Sequence, residues 1–256
     1  MAHFTVGIFG GCHVEGFGVG ADYAFGSQLA ALLARSAQDA HIVTVPYVKY
    51  RDAEAVLRDI RARSVDIAVL QIGNYEASWA QFVSRLSRNS IARKCGLARL
   101  LALVSDGSSS SSSLATLSDT GRTESFCRTA SYFARHSVIK QIIDMMFGHL
   151  FVDYAVMQRE MQNCLDTLRA EFDGITIVLT PFPHMDPANR KHRRRAGILL
   201  TQECLSRGTP VVDTFAIVDA PRYFLPDGAH LNVHGHEALA RALMGAMAIR
   251  CRRMAI

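Results

Sequence analysis

Three residues near opposite ends of the chain have the types and spacing of a nucleophilic catalytic site. Cys12 follows two glycines directly after an apolar run, and Asp227 precedes His230 by three positions. A thiol becomes a strong nucleophile when an imidazole takes its proton, and a carboxylate can hold that imidazole in position. We therefore predict that Cys12 is the nucleophile, His230 its base and Asp227 the residue that orients the imidazole.

A second group of residues has the chemistry to stabilise an oxyanion. Gly73 and Asn74 directly follow the apolar run 65–72. Attack on a carbonyl creates an oxyanion, which backbone N–H groups and side-chain amides stabilise. We expect the backbone N–H of Cys12 and the amide of Asn74 to be such donors. Lys49, which follows another apolar run, is a candidate contact for an anionic part of the substrate.

The apolar runs that precede these residues predict the strands of one sheet. Short runs rich in β-branched residues occur at 3–9, 41–45, 65–72, 175–180 and 210–213. Stretches with helical spacing of apolar residues occur at 27–35, 52–63, 196–206 and 235–247. Buried strands that alternate with helices indicate an α/β fold with a parallel sheet covered on both faces. Ligands bind such sheets beyond the carboxyl ends of the strands, which is where the candidate residues should lie.

The candidate segments resemble the sequence blocks of SGNH, or GDSL-type, hydrolases. The first block of that family is Gly-Asp-Ser-Leu-x-x-Gly, and residues 10–16 match its spacing with Gly11 at the Asp position and Cys12 at the position of the nucleophilic Ser. The last block, Asp-x-x-His, matches residues 227–230. The resemblance implies a flavodoxin-like three-layer sandwich with a parallel sheet of about five strands. It also implies esterase, thioesterase or acyltransferase chemistry without a cofactor.

The chain also departs from the family pattern. The third block is usually Gly-x-Asn-Asp, but Tyr75 holds the Asn position here, so either the turn is shifted by one residue or the amide donor is lost. The glycine of the second block is missing from residues 46–51, and Gly11 removes an acidic group, so the local hydrogen bonds must differ. Two functions remain open: an acyl hydrolase or acyltransferase that forms a Cys12 acyl-enzyme on an ester or thioester, or a noncatalytic SGNH-like protein that binds a ligand or partner.

Other groups of histidines offer weaker alternatives. His13 adjoins Cys12, but adjacent side chains at a helix start usually diverge, so we expect it to be a poor base. His234 and His236, together with Asp227 and His230, are metal-ligating types at short spacing. Because no helical H-x-x-x-H with a distant third ligand accompanies them, the sequence predicts no metal site.

The chain departs from strand–helix alternation in its middle. Residues 80–170 show helical patterning, interrupted by six consecutive serines at 108–113. A connection of this length is far longer than an ordinary crossover between parallel strands. We predict a single SGNH-like domain over residues 1–256, with a helical insertion at roughly 80–170 that contains a flexible serine-rich loop at 105–122.

Composition excludes several classes of protein. No run approaches the roughly 18–20 apolar residues that span a bilayer, so we expect no membrane span. The six cysteines are scattered without a C-x-x-C pair, and no basic segment opens a secretory signal. Reduced thiols and the missing signal favour a cytoplasmic protein.

The basic run Arg190–Arg195 is the densest concentration of charge in a chain of formal net charge +5. Such runs are most often solvated faces of helices. The alternative is a docking patch for an acidic partner, such as a phosphopantetheine-bearing carrier protein, or for coenzyme A. Nucleic acid is disfavoured, because no aromatic residues are interleaved with the basic ones.

Overall fold

A five-stranded parallel sheet forms the centre of the protein. The computed structural model describes residues 3–36, 39–77, 145 and 152–254. The strands are β1 (His3–Gly10), β2 (Asp39–Pro46), β3 (Ile67–Gln71), β4 (Ile175–Leu179) and β5 (Val211–Val212). They pair in the order β2-β1-β3-β4-β5, and every pairing is parallel. This is the flavodoxin-like order, so the predicted fold class is confirmed.

Helices cover both faces of the sheet. They are α1 (Phe25–Arg35), α2 (Ala53–Ala62), α3 (Tyr154–Glu171), α4 (Pro187–Ser206), α5 (Thr214–Val218) and α6 (Val233–Met254). On one face, α1 and α6 supply core residues such as Leu29, Leu33, Leu239 and Leu243. On the other face, α2, α3 and α4 supply a second core that includes Leu57, Leu165 and Leu200. Burial of these apolar faces is the main source of stability in such a sandwich. No helix in the described part of the chain is long and apolar enough to cross a bilayer.

Helix α4 begins earlier than the spacing of apolar residues predicts. It starts at Pro187 instead of Ala196, because Asp186 caps it by accepting hydrogen bonds from the backbone N–H groups of Ala188 and Asn189. A proline in the first turn and an aspartate at the N-cap are strong start signals for a helix. The basic run Arg190–Arg195 therefore lies inside α4, where some of its side chains face the sheet and others the solvent.

Most of the predicted helical insertion lies outside the described residues. This applies to residues 80–144 and 146–151, including the serine-rich loop 105–122, so these remain predictions. The last part of the interval is helix α3, which packs against α2 and α4 over the sheet. A long crossover from β3 to β4 thus ends in an ordinary covering helix.

The carboxyl edge of the sheet is fixed by hydrogen bonds between its loops. Gly11 donates its backbone N–H to Oε1 of Gln71 at 3.0 Å, and Val48 donates to the carbonyl of Gly10 at 2.9 Å. These two bonds hold the ends of β1, β2 and β3 together. These bonds therefore fix the backbone from which the side chains after the strands project.

Candidate active site

Cys12 lies directly beyond β1 in a single 3-10 turn, Cys12–Val14. Its side chain is partly exposed, whereas His13 and Val14 are buried. Gly11 has ordinary extended backbone, and a Cβ atom there would lie 3.2 Å from Oε1 of Gln71. The Gln71 side chain thus lies directly beside Gly11. It also takes up the Gly11 N–H, so this group is not a free donor for a substrate.

His13 contacts the sulfur of Cys12, contrary to the expectation that the two side chains diverge. Nδ1 of His13 lies 3.7 Å from Sγ, because the tight turn projects both side chains toward the same edge. Nε2 lies 3.2 Å from the carbonyl oxygen of Ala229, which can only accept, so Nε2 carries the proton and Nδ1 is an acceptor. Burial, with the positive charges of neighbouring histidines and Arg193, lowers the pKa of His13 well below its usual value. His13 is therefore a neutral ring whose acceptor nitrogen, Nδ1, is on the side of the sulfur.

His230 and Asp227 form a close pair at the same edge. Nδ1 of His230 lies 2.6 Å from Oδ2 of Asp227, whose Oδ1 accepts the backbone N–H groups of Ala229 and His230. Burial alone would lower the pKa of His230, but hydrogen bonds with Asp227 and Cys12, and the negative charges of both, raise it to about 9. The ring of Phe17 covers His230 at a centroid distance of 4.3 Å.

The two histidines beside Cys12 thus differ in their affinity for a proton. A buried ring with a lowered pKa holds a proton poorly, whereas His230 is stabilised as the imidazolium by its carboxylate. The rings are 5.3 Å apart between centroids. Nδ1 of His13 is 3.7 Å from the sulfur, and the Cys12 side chain helps to raise the pKa of His230. Of the two, His230 has the electrostatic environment of an acid–base group, and His13 that of a hydrogen-bond acceptor.

Gly73 and Asn74 form a tight turn after β3. Gly73 has φ +100°, and a Cβ atom there would lie 2.5 Å from the Tyr50 hydroxyl, so glycine is required. The buried side chain of Asn74 accepts the backbone N–H of Phe182 through Oδ1 at 2.8 Å. Its Nδ2 is also buried and has no hydrogen-bond partner among the described residues. The amide that the sequence proposes as a donor is therefore held in place with its N–H groups unused.

Tyr75, at the family's Asn position, contacts Cys12. Burial, followed by the negative charge of the sulfur, raises the pKa of the Tyr75 hydroxyl. Hydrogen bonding links this hydroxyl both to the Cys12 side chain and to the Cys12 backbone N–H, which donates to it. Tyr75 is not among the site residues that the sequence predicts, although its place in the third block is the signal that marks it.

The loop after β2 brings two further side chains to this edge. Tyr47 has φ +66°, a left-handed conformation that favours glycine and that is costly for other residues. The backbone thus adopts a glycine-like conformation without the glycine. The ring of Tyr47 stacks on Tyr75 at 6.4 Å between centroids, and Nζ of Lys49 lies 5.9 Å from the centroid of the Tyr75 ring. Lys49 therefore adds a positive charge near the candidate site.

The basic run of α4 does not form one exposed face. Arg193 is only 8% exposed, and His192 is buried with it, whereas Arg190, Arg194 and Arg195 are exposed. Arg193 donates to the carbonyl of Phe182 at 3.3 Å. The charge of Cys12 is the largest influence that favours the protonated guanidinium of Arg193, although burial lowers its pKa to about 10. This burial has no signal in the sequence, since a run of basic residues is typical of a solvated face.

His236 lies away from the sulfur of Cys12. His236 is buried against α1, where its Nδ1 accepts the backbone N–H of Phe25 at 3.1 Å, and burial lowers its pKa to about 4. In the part of the chain that the structure describes, no three His, Cys, Asp or Glu side chains are grouped to hold a metal ion.

The sequence matches no protein-family model and no curated protein. The structure, however, is similar to several solved hydrolases. A protein of the G-D-S-L lipolytic family from Desulfitobacterium hafniense is 9% identical, with a TM-score of 0.55 over 94% of this chain and 98% of that chain. A lipase/acylhydrolase from Enterococcus faecalis is 11% identical, with a TM-score of 0.57 over 97% and 96%. The acetylxylan esterase Axe2 from Geobacillus stearothermophilus is 16% identical, with a TM-score of 0.56 over 95% and 93%. The chain therefore has the fold of SGNH, or GDSL-type, hydrolases.

Proposed function

We propose that this protein is an acyl hydrolase or acyltransferase that cleaves an ester or thioester through a covalent Cys12 acyl-enzyme. The observation that carries the proposal is one cluster of three groups: the sulfur of Cys12, the imidazole of His230 and the carboxylate of Asp227. The 2.6 Å bond fixes the ring on Asp227, and the Cys12 side chain is among the groups that raise the pKa of His230. A nucleophile, a base and an orienting group in contact are the pattern of covalent acyl transfer.

In the first half of the reaction, His230, whose imidazolium Asp227 stabilises, takes the proton of the Cys12 thiol. The thiolate attacks the carbonyl carbon, a C–S bond forms, and the carbonyl electron pair moves to oxygen. When this pair returns, the bond to the leaving alcohol or thiol breaks, and His230 donates its proton to that group. The product is a Cys12 thioester beside a neutral imidazole.

In the second half, His230 acts as the base. It takes a proton from water, or from an alcohol, amine or thiol acceptor, as that group attacks the thioester carbonyl. The C–S bond then breaks, and the sulfur leaves as a thiolate beside the reprotonated imidazole. A thioester intermediate is readily passed to amines and thiols, so acyl transfer is as compatible with this site as hydrolysis.

The oxyanion would be held by donors next to the sulfur. We propose the backbone N–H of Cys12 and the hydroxyl of Tyr75, which now bond to each other and between which a substrate oxygen would lie. The unused Nδ2 of Asn74 is a third candidate donor. Preorganised donors of this kind are among the largest contributions to acyl-transfer catalysis.

The proposal also bears on surroundings and partners. A thiol nucleophile must remain unoxidised, and the described cysteines Cys12, Cys164 and Cys204 are all free, which supports our expectation of a cytoplasmic protein. The exposed arginines of α4 support, as an alternative to free small substrates, an acyl group delivered by an acidic carrier.

A panel of short nitrophenyl esters and acyl thioesters tests the proposed function. We expect turnover of at least one substrate by the wild type, none by Cys12→Ala, and unchanged turnover by Cys164→Ala, a variant of a buried cysteine far along the chain. If no substrate is turned over although an acyl compound binds at this edge, the chain is the noncatalytic binding protein and the proposal fails.

A further inference from the structure

Arg193 is an unusual component of this edge, because its charge is buried without a carboxylate partner. The side chain is 8% exposed, and no ion pair joins it to any carboxylate in the described ranges of the chain. Its side chain donates to a neutral carbonyl, that of Phe182, and its Nε is buried without a partner among the described residues. Burying a guanidinium is costly unless an anion compensates it.

Asp186 forms no ion pair with Arg193 in the described structure. It influences the charge of Arg193, but its Oδ1 accepts the backbone N–H groups that begin α4. The strongest favourable influence on Arg193 comes instead from Cys12, at the reaction centre. Both Cys12 and Asp186 therefore favour the charged form of the guanidinium.

The surroundings of Arg193 are rich in donors. Phe182 is the common anchor, since its carbonyl accepts from Arg193 and its N–H donates to Asn74, and its ring lies 4.5 Å from that of His13. Asn74 Nδ2 and Arg193 Nε are both buried N–H groups without partners in the described structure. Both donors are unused and one of them is charged, and a carboxylate oxygen is the kind of acceptor that would satisfy them.

We propose that Arg193 and Asn74 form an anion subsite beside Cys12, and that the acyl group of the substrate carries a carboxylate near its reacting carbonyl. This inference rests on the proposed function and names its substrate class. Once the sulfur is acylated it is neutral, and a substrate carboxylate would then balance the buried guanidinium.

Alkylation of Cys12 tests the subsite without any knowledge of the substrate. Iodoacetate and iodoacetamide form the same type of bond with sulfur, but only iodoacetate carries a carboxylate. We would measure both rates on the peptide that contains Cys12 by mass spectrometry, with N-acetylcysteine as the reference thiol. We expect the iodoacetate-to-iodoacetamide rate ratio of Cys12 to exceed that of N-acetylcysteine by about tenfold or more, the range of a charge-assisted contact.

Two variants test whether Arg193 causes the preference of Cys12 for iodoacetate. Arg193→Met should lower the rate ratio to that of the reference thiol, whatever change it also causes in the iodoacetamide rate. Arg194→Met, which removes the exposed neighbour on the same helix, should keep the wild-type ratio. If Arg193→Met lowers both rates by the same factor, Arg193 only supports the reactivity of the sulfur. If the variant keeps the preference for iodoacetate, His230 is the group that attracts the anion. Either outcome rejects the subsite.

Protection of the wild-type protein tests the subsite even if Arg193→Met fails to fold. Acetate should slow alkylation of Cys12 by iodoacetamide in a saturable manner, whereas acetamide at equal ionic strength should not. Equal effects of the two compounds overturn the subsite. Reaction of Cys12 with both reagents without preference overturns the subsite alone, whereas a Cys12 that reacts with neither overturns the proposed function as well.

Discussion

Two regions of the protein hold free cysteines in opposite environments. Between the sheet and helices α3 and α4, Cys164 and Cys204 are sealed in an apolar core, and burial raises the pKa of each thiol to about 12. At the carboxyl edge of the sheet, Cys12 is partly exposed and lies among His230, Arg193 and the Tyr75 hydroxyl. The reactivity of a thiol therefore depends on the charges around it and not on its presence alone.

The largest difference between the two regions should appear in activity. Cys12→Ala should lower kcat/KM by at least about 1,000-fold, because the proposed acyl intermediate forms on this sulfur. Cys204→Ala should lower the free energy of unfolding but leave kcat/KM within a few-fold of wild type. Steady-state kinetics on the best substrate, with thermal unfolding as the second readout, would check both. Comparable losses of activity in the two variants would contradict a special role for Cys12.

The next largest effect should separate the two histidines that flank the sulfur. His230→Gln should lower kcat by about 100- to 10,000-fold, the usual contribution of a general acid–base group. His13→Gln should cost less than about tenfold, since a ring whose pKa is lowered by burial does not carry the proton in the reaction. Single-turnover acylation rates of the two variants provide the measurement. A larger loss in His13→Gln would transfer the role of base to His13.

A smaller effect should come from the donors to the oxyanion. Tyr75→Phe should lower kcat by about 100-fold, the typical cost of one oxyanion donor. Tyr47→Phe is the matched control, because its ring stacks on Tyr75 while its hydroxyl donates to Glu15 at 2.9 Å instead of contacting the sulfur. Equal kinetics for Tyr75→Phe and wild type would leave Asn74 as the side-chain donor.

The smallest expected effect concerns stability and pH. The pKa of His230 is raised in the folded protein to about 9, above that of an unfolded histidine. The imidazolium therefore stabilises the fold fully below about pH 6.5, and this contribution, on the order of 1–3 kcal/mol, is lost as the pH rises through about 9. Urea unfolding from pH 6 to 10 should show this loss in wild type and not in His230→Gln. A parallel decline in both proteins would mean that another group causes it.

The strands of the sheet could be predicted well from the sequence. Apolar runs located all five strands. The block resemblance pointed to Cys12, Asp227 and His230, and the catalytic roles of these residues stay a prediction. These features are local, or depend only on strands being parallel, and so they can be read from residue types and spacing.

The features that could not be predicted depend on tertiary packing. Burial of Arg193 follows from the way α4 lies on the sheet after its early start at Asp186 and Pro187, and a basic run alone indicates the opposite. The approach of His13 to the sulfur follows from the tight turn after β1. The left-handed conformation of Tyr47 has no local signal at all, since a tyrosine is rarely found with a positive φ.

Intact-mass spectrometry of the protein after brief incubation with acyl thioesters tests the covalent role of Cys12 most directly. Our account predicts that the wild type gains the mass of one acyl group, that hydroxylamine removes it, and that peptide mapping finds it on Cys12 and never in Cys12→Ala. An equal adduct in Cys12→Ala, or rapid substrate turnover with a peptide map that places the acyl group on another residue, would contradict it.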